Sequence, residues 1–164
     1  MGQVFAVIMA GGRGERLWPL STPSRPKQFL PLLSGKSFLQ ATAERVTSLV
    51  GKDALFVVVP QEYKELVAQE LSLPREQILV EPEGRNTAPA LGLAGLILFA
   101  RDPKAVMIAL PSDHLVTKTE EFQRILGVAV EVAQKGEHFV TLGIKPDRPA
   151  TGYGYIRYAE LFAE

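Results

Sequence analysis

A chain of 164 residues, 46% of them hydrophobic, is long enough to bury one sizeable core, so a single domain is expected. Its 18 basic and 18 acidic residues leave no net charge, which argues against a nucleic-acid-binding tail or a membrane-attracted surface. With no cysteine and two histidines, the composition excludes disulfides and metal clusters built from thiolates or histidines.

The apolar segments at the N-terminus and in the middle of the chain predict no targeting or membrane-spanning element. The first apolar run has no basic region before it, which argues against a signal peptide. The longest apolar stretch, 88–100, is shorter than the roughly 20 residues that a membrane span needs, and it contains a proline and two glycines. A cytoplasmic protein is therefore expected.

Apolar runs predict strands that alternate with helices along the chain. Val4 to Met9 is continuous and rich in β-branched residues, as is typical of a central strand covered on both faces. Further strands are predicted at 54–59, 77–80, 106–110 and 139–144, and one more strand or hairpin arm begins at 155–158. Helices are predicted at 38–50 behind a Ser37–Gln40 capping box, at 61–71, from Thr87 onward behind Asn86, and up to Lys135 behind a Thr117–Glu120 capping box.

This alternation predicts an α/β, three-layer, Rossmann-like fold with a mostly parallel sheet. In such sheets ligands bind outside the carboxyl ends of the strands, near the point where the strand order reverses. Polar loops follow four of the predicted strands, at 11–16, 81–86, 112–114 and 145–153. We therefore expect these four loops to form one site.

The loop after the first predicted strand has the sequence AGGRGERLWP, at residues 10–19. Gly11, Gly12 and Gly14 permit positive φ angles and exposed N–H groups, and Arg13 and Arg16 add positive charge, a combination that suits a polyphosphate. The loop lacks the Gly-Lys-Ser/Thr ending of a Walker loop and the third glycine of a dinucleotide fingerprint. The alternative is a strand-to-loop turn that needs glycine for its geometry alone.

Charged residues near this loop suggest phosphate chemistry. Asp113 follows an apolar strand, and a lone carboxylate facing such a loop indicates Mg²⁺ that bridges it to phosphate. The alternative for Asp113 is a helix cap or turn residue, and His114 is interpreted as a turn or packing residue. Lys27 and Arg16 are candidates to neutralise phosphoryl charge, with solvated surface charges as the alternative.

Two further loops have side chains suited to a base and a sugar. Glu81 and Asn86 can accept from and donate to the edge of a base; the alternatives are that Glu81 starts a surface turn and that Asn86 only caps a helix. Gly152 beside Tyr153 permits close approach of a flat ligand such as a sugar ring, with a simple turn as the alternative.

The segments AGGRGERLWPLS, PKQF, EPEGRNTAPA, LPSDH and GIKPDRPATGYGYI, in this order, resemble the nucleotidyltransferase domain of bacterial mannose-1-phosphate guanylyltransferases, also called GDP-mannose pyrophosphorylases. These motifs span residues 10–156, and RNTAPA and TGYGYI are specific to this branch. The glycine loop alone would indicate only sugar-nucleotide pyrophosphorylases in general. The resemblance implies the nucleotide-diphospho-sugar transferase fold.

The resemblance also implies a reaction in which mannose 1-phosphate attacks the α-phosphorus of GTP, giving GDP-mannose and pyrophosphate with Mg²⁺ as cofactor. The implied partners are GTP, mannose 1-phosphate and GDP-mannose, and no nucleic acid or membrane partner is expected. The chain is expected to form a homo-oligomer, specifically a dimer. The implied site residues are Arg16 and Lys27 for catalysis, Asp113 for the metal, Gly152 and Tyr153 for the sugar, and Ala10, Gly11, Gly12, Gly14, Glu81, Asn86, Thr87 and Ala88 for the nucleotide.

The sequence departs from the family pattern in two ways. Glu15 stands where family members commonly have Thr or Ser. The family domain also continues past the segment that ends here at Glu164, supplying another metal-binding aspartate and a Glu-Lys-Pro segment. Residues 1–164 are therefore predicted to be a nucleotidyltransferase domain that is incomplete at its C-terminal end. The alternatives are another sugar-1-phosphate nucleotidyltransferase and a catalytically inactive nucleotide-binding regulatory module.

Overall fold

The computed structural model describes residues 2–12, 17–22, 25–31, 35–136 and 138–157, which form a parallel sheet with helices on both faces. The strands are β1 (Val4–Met9), β2 (Leu55–Pro60), β3 (Ile78–Glu81) and β4 (Val106–Pro111). The helices are α1 (Phe38–Val50), α2 (Lys64–Leu71), α3 (Thr87–Arg101) and α4 (Thr119–Gln134). The strand order is β3-β2-β1-β4, with every pair parallel. The predicted α/β fold with a parallel sheet is confirmed.

Strand β1 is central, as its apolar run predicts. Ala6 lies opposite Leu55 of β2 on one side and Ile108 of β4 on the other. Four of the six residues of β1 are buried, because helices cover both of its faces. The N-terminal strand thereby sets the position of the loop that follows it.

Alternate residues of the sheet enter two separate cores, which gives the three layers. On one face, Ile8 and Val57 pack among side chains of α1, α2 and α4. On the other face, Val7 and Phe56 pack against Ala90, Ala94 and Leu98 of α3. Within the described part of the chain, no helix has both the length and the apolar character needed to cross a bilayer.

The helix starts confirm one predicted capping box and contradict the other. At α1, the Ser37 hydroxyl accepts from the backbone N–H of Gln40, and the Gln40 side chain accepts from the backbone N–H of Ser37. At α4, the N-cap position belongs to Lys118 and carries no side-chain cap bond, so the Thr117–Glu120 prediction is wrong. The motif fails because the helix begins one residue too late for Thr117 to reach its free N–H groups.

The predicted fifth strand, 139–144, is not a strand, and neither is the described part of the predicted arm at 155–158, which ends at residue 157. Phe139 and Ile144 are fully or largely exposed, at 106% and 87% of their reference areas. An apolar run supplies strand propensity, whereas a strand also needs a neighbour for its backbone hydrogen bonds, and residues 139–144 have none among the described residues.

Candidate functional site

The carboxyl ends of the four parallel strands lie along one edge of the sheet, and the candidate loops start there. The backbone N–H of Ala10 donates to the carbonyl of Val58 at 2.9 Å, and that of Ser112 donates to the carbonyl of Met9 at 3.2 Å. The loops that follow β1 and β4 therefore leave the sheet side by side. In the order β3-β2-β1-β4 the direction of strand addition reverses between β1 and β4, where ligands bind in open α/β sheets.

An ion pair between Lys27 and Asp113 stands at this reversal point. Lys27 begins a short 3₁₀ turn, and Asp113 lies two residues beyond β4. Their side chains are 25% and 32% exposed, so solvent reaches both. A Cβ atom on Gly12 would lie 3.4 Å from Cε and 3.7 Å from Nζ of Lys27, which places Gly12 beside the ammonium group. Three residues predicted from separate segments are thus brought together.

The charge state of Asp113 follows from two opposed effects. Burial raises the pKa of the Asp113 carboxyl group, while the hydrogen bond and charge of Lys27 lower it, and the net result is a pKa below the ordinary value. The carboxylate is therefore ionised at neutral pH, which a metal ligand requires.

The donor set around Asp113 fits a Mg²⁺ ion that is shared with a substrate. Among the described residues there is no group of three or more acidic or histidine side chains that could hold a metal on their own. Mg²⁺ is commonly held by one or two carboxylates together with phosphate oxygens and water. Asp113 can supply one such ligand, and Lys27 competes with a metal for it.

Glu81 is the last residue of β3 and lies against the start of the glycine loop. A Cβ atom on Gly11 would lie 2.7 Å from Oε1 of Glu81, so the missing side chain makes room for the carboxylate. Burial raises the pKa of Glu81 above its ordinary value. Pro60, at the end of β2, also lies close to Gly11, with its Cδ 3.4 Å from the same Cβ position. Glu81 and Gly11 are therefore neighbours, as the site prediction requires.

The start of α3 places three further predicted residues in solvent. Asn86 is the N-cap residue and Thr87 begins the helix, as predicted, but the Asn86 side chain makes no cap hydrogen bond. Its φ of 66° and ψ of −168° lie in a region that favours glycine, and the turned backbone carries the side chain away from the cap position. Asn86, Thr87 and Ala88 are all exposed, so a ligand at this end of the helix has access to them.

Gln28 is a site residue that sequence reasoning missed. Its side chain is fully buried, and its amide nitrogen donates to the carbonyl of Ala10 at 2.7 Å. The amide oxygen is buried with no hydrogen-bond partner among the described residues. Gln28 thus ties the turn that carries Lys27 to the first residue of the glycine loop. The PKQF segment was the available signal, but a glutamine there predicts a polar, exposed side chain.

Some predicted site residues are not brought to this edge or lie outside the described residues. Gly14 and Arg16 belong to the second group, as do Arg13 and Glu15. Gly152 and Tyr153 are exposed. The hydrogen bonds in their loop are internal, such as those between the Tyr155 hydroxyl and the backbone of Ala150. Among the described residues, the predicted convergence is therefore seen for 11–12, 81–86 and 112–114 and not for 145–153.

The topology and the charged edge of the sheet define a Rossmann-like α/β protein with its candidate site at the strand ends. A family model described as nucleotidyl transferase matches residues 5–162, so the chain belongs to the nucleotidyl transferase family.

Similar proteins agree with the resemblance found in the motifs. The xanthan biosynthesis protein XanB of Xanthomonas campestris pv. campestris is 44% identical over 160 residues, which cover 96% of this chain and 34% of that protein. The alginate biosynthesis protein AlgA of Pseudomonas aeruginosa is 42% identical over 94% of this chain and 32% of its own length. A mannose-1-phosphate guanylyltransferase of Escherichia coli is 40% identical over 98% of this chain and 35% of its own length. The predicted resemblance is confirmed, and the chain spans about a third of the length of these relatives.

Solved structures give the same assignment of fold. A crystal structure described as mannose-1-phosphate geranyltransferase from Thermus thermophilus matches with a TM-score of 0.72 and 40% identity, covering 82% of this chain and 39% of that one. A second, described as mannose-6-phosphate isomerase from Helicobacter pylori, matches with a TM-score of 0.64 and 26% identity, covering 81% and 47%. The Rossmann-like fold predicted from the alternation of strands and helices is confirmed.

Proposed function

We propose that this chain binds GTP at the carboxyl edge of its sheet and serves the transfer of GMP from GTP to mannose 1-phosphate, which gives GDP-mannose and pyrophosphate. The observation that carries the proposal is the Lys27–Asp113 ion pair beside Gly12, because it places a partly exposed cation and an ionised carboxylate next to a glycine-rich loop. The relative named mannose-1-phosphate guanylyltransferase supports the choice of substrates.

In the proposed reaction a phosphate oxygen of mannose 1-phosphate attacks the α-phosphorus of GTP. The bond from that phosphorus to the oxygen bridging to the β-phosphate breaks, and pyrophosphate leaves with the electron pair. The nucleophile is already an anion, so no residue has to remove a proton, and the protein contributes alignment and charge neutralisation. Mg²⁺ held by Asp113 would offset the negative charge of the phosphates.

Lys27 would leave Asp113 and contact phosphoryl oxygens, where its charge would favour the transition state. The exposed fraction of its side chain gives it room to turn, and the Gly12 backbone beside it presents no side chain to obstruct a phosphate. Arg16 is proposed for the same work on the strength of the sequence motif.

Glu81 and Asn86 are proposed to read the base. The Glu81 carboxylate would accept hydrogen bonds from the N–H donors of guanine, and the raised pKa of Glu81 reflects a partly desolvated position in which such bonds are strong. The Asn86 amide makes no cap bond, so it can donate to and accept from a ligand. Gly152 and Tyr153 remain the proposed sugar contacts, and the homodimer and cytoplasmic location remain predictions.

Calorimetric titration of the 164-residue chain with GTP, UTP and GDP-mannose in Mg²⁺ tests the proposal, together with a pyrophosphate-release assay with mannose 1-phosphate. Binding of GTP and GDP-mannose in preference to UTP is expected, and Asp113→Asn should remove any Mg²⁺-dependent release of pyrophosphate. Binding of UTP but not GTP would contradict the guanine assignment and favour another sugar-1-phosphate nucleotidyltransferase. Binding of GTP without release would favour a nucleotide-binding module.

A further inference from the structure

Arg45 of α1 is a buried arginine without an acidic partner among the described residues. The residue is 7% exposed, and burial lowers the pKa of its guanidinium group, which still remains charged. Its hydrogen bonds go to neutral oxygens: Nη2 donates to Oγ1 of Thr42 at 2.8 Å, and both Nη atoms lie 3.4 Å from the carbonyl oxygen of His114. Nε is buried with no partner among the described residues.

Burial of this charge costs free energy that an apolar side chain of similar size would not cost. The ring of Phe122 lies 5.6 Å from the guanidinium carbon and offsets part of that cost by a cation–π interaction. The side-chain amide of Gln123 in α4 donates to the backbone carbonyl of Arg45 at 2.8 Å, which joins α1 to α4 at Arg45. Burial of Arg45 therefore lowers the stability of the fold, and the groups to which it donates hydrogen bonds indicate its role.

The oxygens near Arg45 flank Asp113 in the sequence. The His114 carbonyl accepts directly from Arg45, and the Ser112 carbonyl accepts from the Thr42 hydroxyl at 3.4 Å. The two backbone groups on either side of Asp113 are thus attached to one face of α1. Asp113 itself points to Lys27.

We propose that Arg45 is a positioning residue for Asp113: together with Thr42 it fixes the carbonyls of Ser112 and His114, and thereby directs the Asp113 carboxylate toward the phosphate-binding edge. This inference rests on the proposed function, since Asp113 needs a fixed direction only if it serves a bound nucleotide and metal.

The test compares Arg45→Met with Val46→Ala. Val46 is the next residue of α1 and is fully buried in the core between the sheet and helices α1, α2 and α4. Its truncation to alanine leaves a cavity, which lowers the stability of the protein. Two readouts are used: the backbone amide resonances of Asp113 and His114 in ¹⁵N spectra of the free chain, and the affinity for GTP in Mg²⁺. Urea unfolding places the two variants on a common scale of stability.

Arg45→Met is expected to shift both amide resonances and to weaken GTP binding in Mg²⁺ by about tenfold, the scale on which supporting partners of metal ligands act. Val46→Ala should leave both readouts near wild type. Arg45→Lys keeps the charge and one donor group, so it should restore part of the affinity. Thr42→Val, which removes the hydroxyl at nearly constant volume, should shift the same resonances. This variant replaces Arg45→Met in the test if Arg45→Met does not fold.

Equal effects of Arg45→Met and Val46→Ala at matched stability would overturn the inference, as would unshifted resonances in Thr42→Val. Absence of GTP binding by the wild-type chain would instead contradict the proposed function. In that case the amide resonances still decide whether Arg45 positions the loop, so the two failures are distinguishable.

Discussion

The Lys27 ammonium group forms an ion pair with the carboxylate of Asp113. Asp113 is also the residue that would bind Mg²⁺ in the proposed function. A metal that uses Oδ2 of Asp113 must therefore displace Lys27 first. Phosphate oxygens offer Lys27 an alternative partner, so a nucleotide would release the carboxylate as it binds. Metal binding at Asp113 is accordingly expected to depend on nucleotide.

Lys27→Met should let Mn²⁺, used as a spectroscopic substitute for Mg²⁺, bind at Asp113 without nucleotide. The affinity for Mn²⁺ alone is expected to rise about fivefold, because a partly exposed ion pair stabilises by about 1 kcal/mol and the variant no longer has it to break. Electron paramagnetic resonance titration of free Mn²⁺ measures this. Lys36→Met, which removes the exposed pair with Glu44, is the matched control and should change nothing. An unchanged or weaker affinity in Lys27→Met, or a gain that survives Asp113→Asn, would contradict the prediction.

Gln28→Leu should lower both stability and nucleotide affinity. It leaves the buried carbonyl of Ala10 without its donor, at a cost of about 1 to 3 kcal/mol in the free energy of unfolding, and it frees the glycine loop from the turn that carries Lys27. Urea unfolding and GTP titration measure the two effects.

Gln77→Leu is the control for Gln28→Leu. The Gln77 amide is also buried, and it donates to the carbonyls of Lys52 and Leu55 near the amino end of β2, opposite the site. Stability should fall here as well, while GTP affinity per folded molecule stays the same. Equal losses of affinity in both glutamine variants would mean that Gln28 acts only through stability.

Gly11→Ala should weaken GTP binding by about tenfold, with little effect on stability. The new methyl group would lie 2.7 Å from Oε1 of Glu81, and the carboxylate would have to turn away from its proposed bond to guanine. Gly84→Ala is the control, because a Cβ there meets nothing within 4 Å. Calorimetric titration with GTP checks both variants, and a Gly11→Ala chain that binds GTP as tightly as Gly84→Ala would count against the role of Glu81.

The two carboxyl groups at the site predict opposite dependences of stability on pH. The raised pKa of Glu81 gives stability that is present below its unfolded value, near 4.5, and is lost as the pH rises through the folded pKa. The lowered pKa of Asp113 gives stability that is present above its unfolded value, near 3.8, and is lost as the pH falls through the folded pKa.

Relative to wild type, Glu81→Gln should therefore gain stability as the pH rises above 4.5 and the wild-type carboxyl group ionises at its raised pKa. Asp113→Asn should lose stability relative to wild type as the pH rises toward 3.8, because the wild-type carboxyl group ionises at its lowered pKa. Urea unfolding at a series of pH values measures both differences. If the stability of both variants relative to wild type changed in the same direction with pH, then either the burial of Glu81 or the ion pair of Asp113 would be contradicted.

Local patterns in the sequence predict those parts of the fold that depend on residues close to one another along the chain. The apolar run of β1 indicates its central place because only a strand covered on both faces is apolar throughout. The Ser37–Gln40 capping box marks the start of α1, because both of its bonds lie within the first turn. Lys27 and Asp113 were recognised as charges, although nothing in the sequence showed that they pair.

Features that depend on distant residues are not visible in such patterns. Gln28 and Arg45 look like ordinary polar surface residues, and their burial follows from loops contributed by other parts of the chain. The predicted strand at 139–144 has the right apolar composition and lacks a paired neighbour in the described structure. The Thr117–Glu120 pattern has the right spacing and misses the helix start by one residue.

Lys27 and Asp113 lie 86 positions apart in the sequence, and this separation has a consequence for the order of folding. Strand β1 pairs with β2 across a far shorter interval than with β4, and closing the longer loop costs more chain entropy. During synthesis the glycine loop leaves the ribosome before the segment beyond β4. A nascent chain stalled before Asp113 therefore contains Lys27 without the carboxylate with which it pairs in the folded protein.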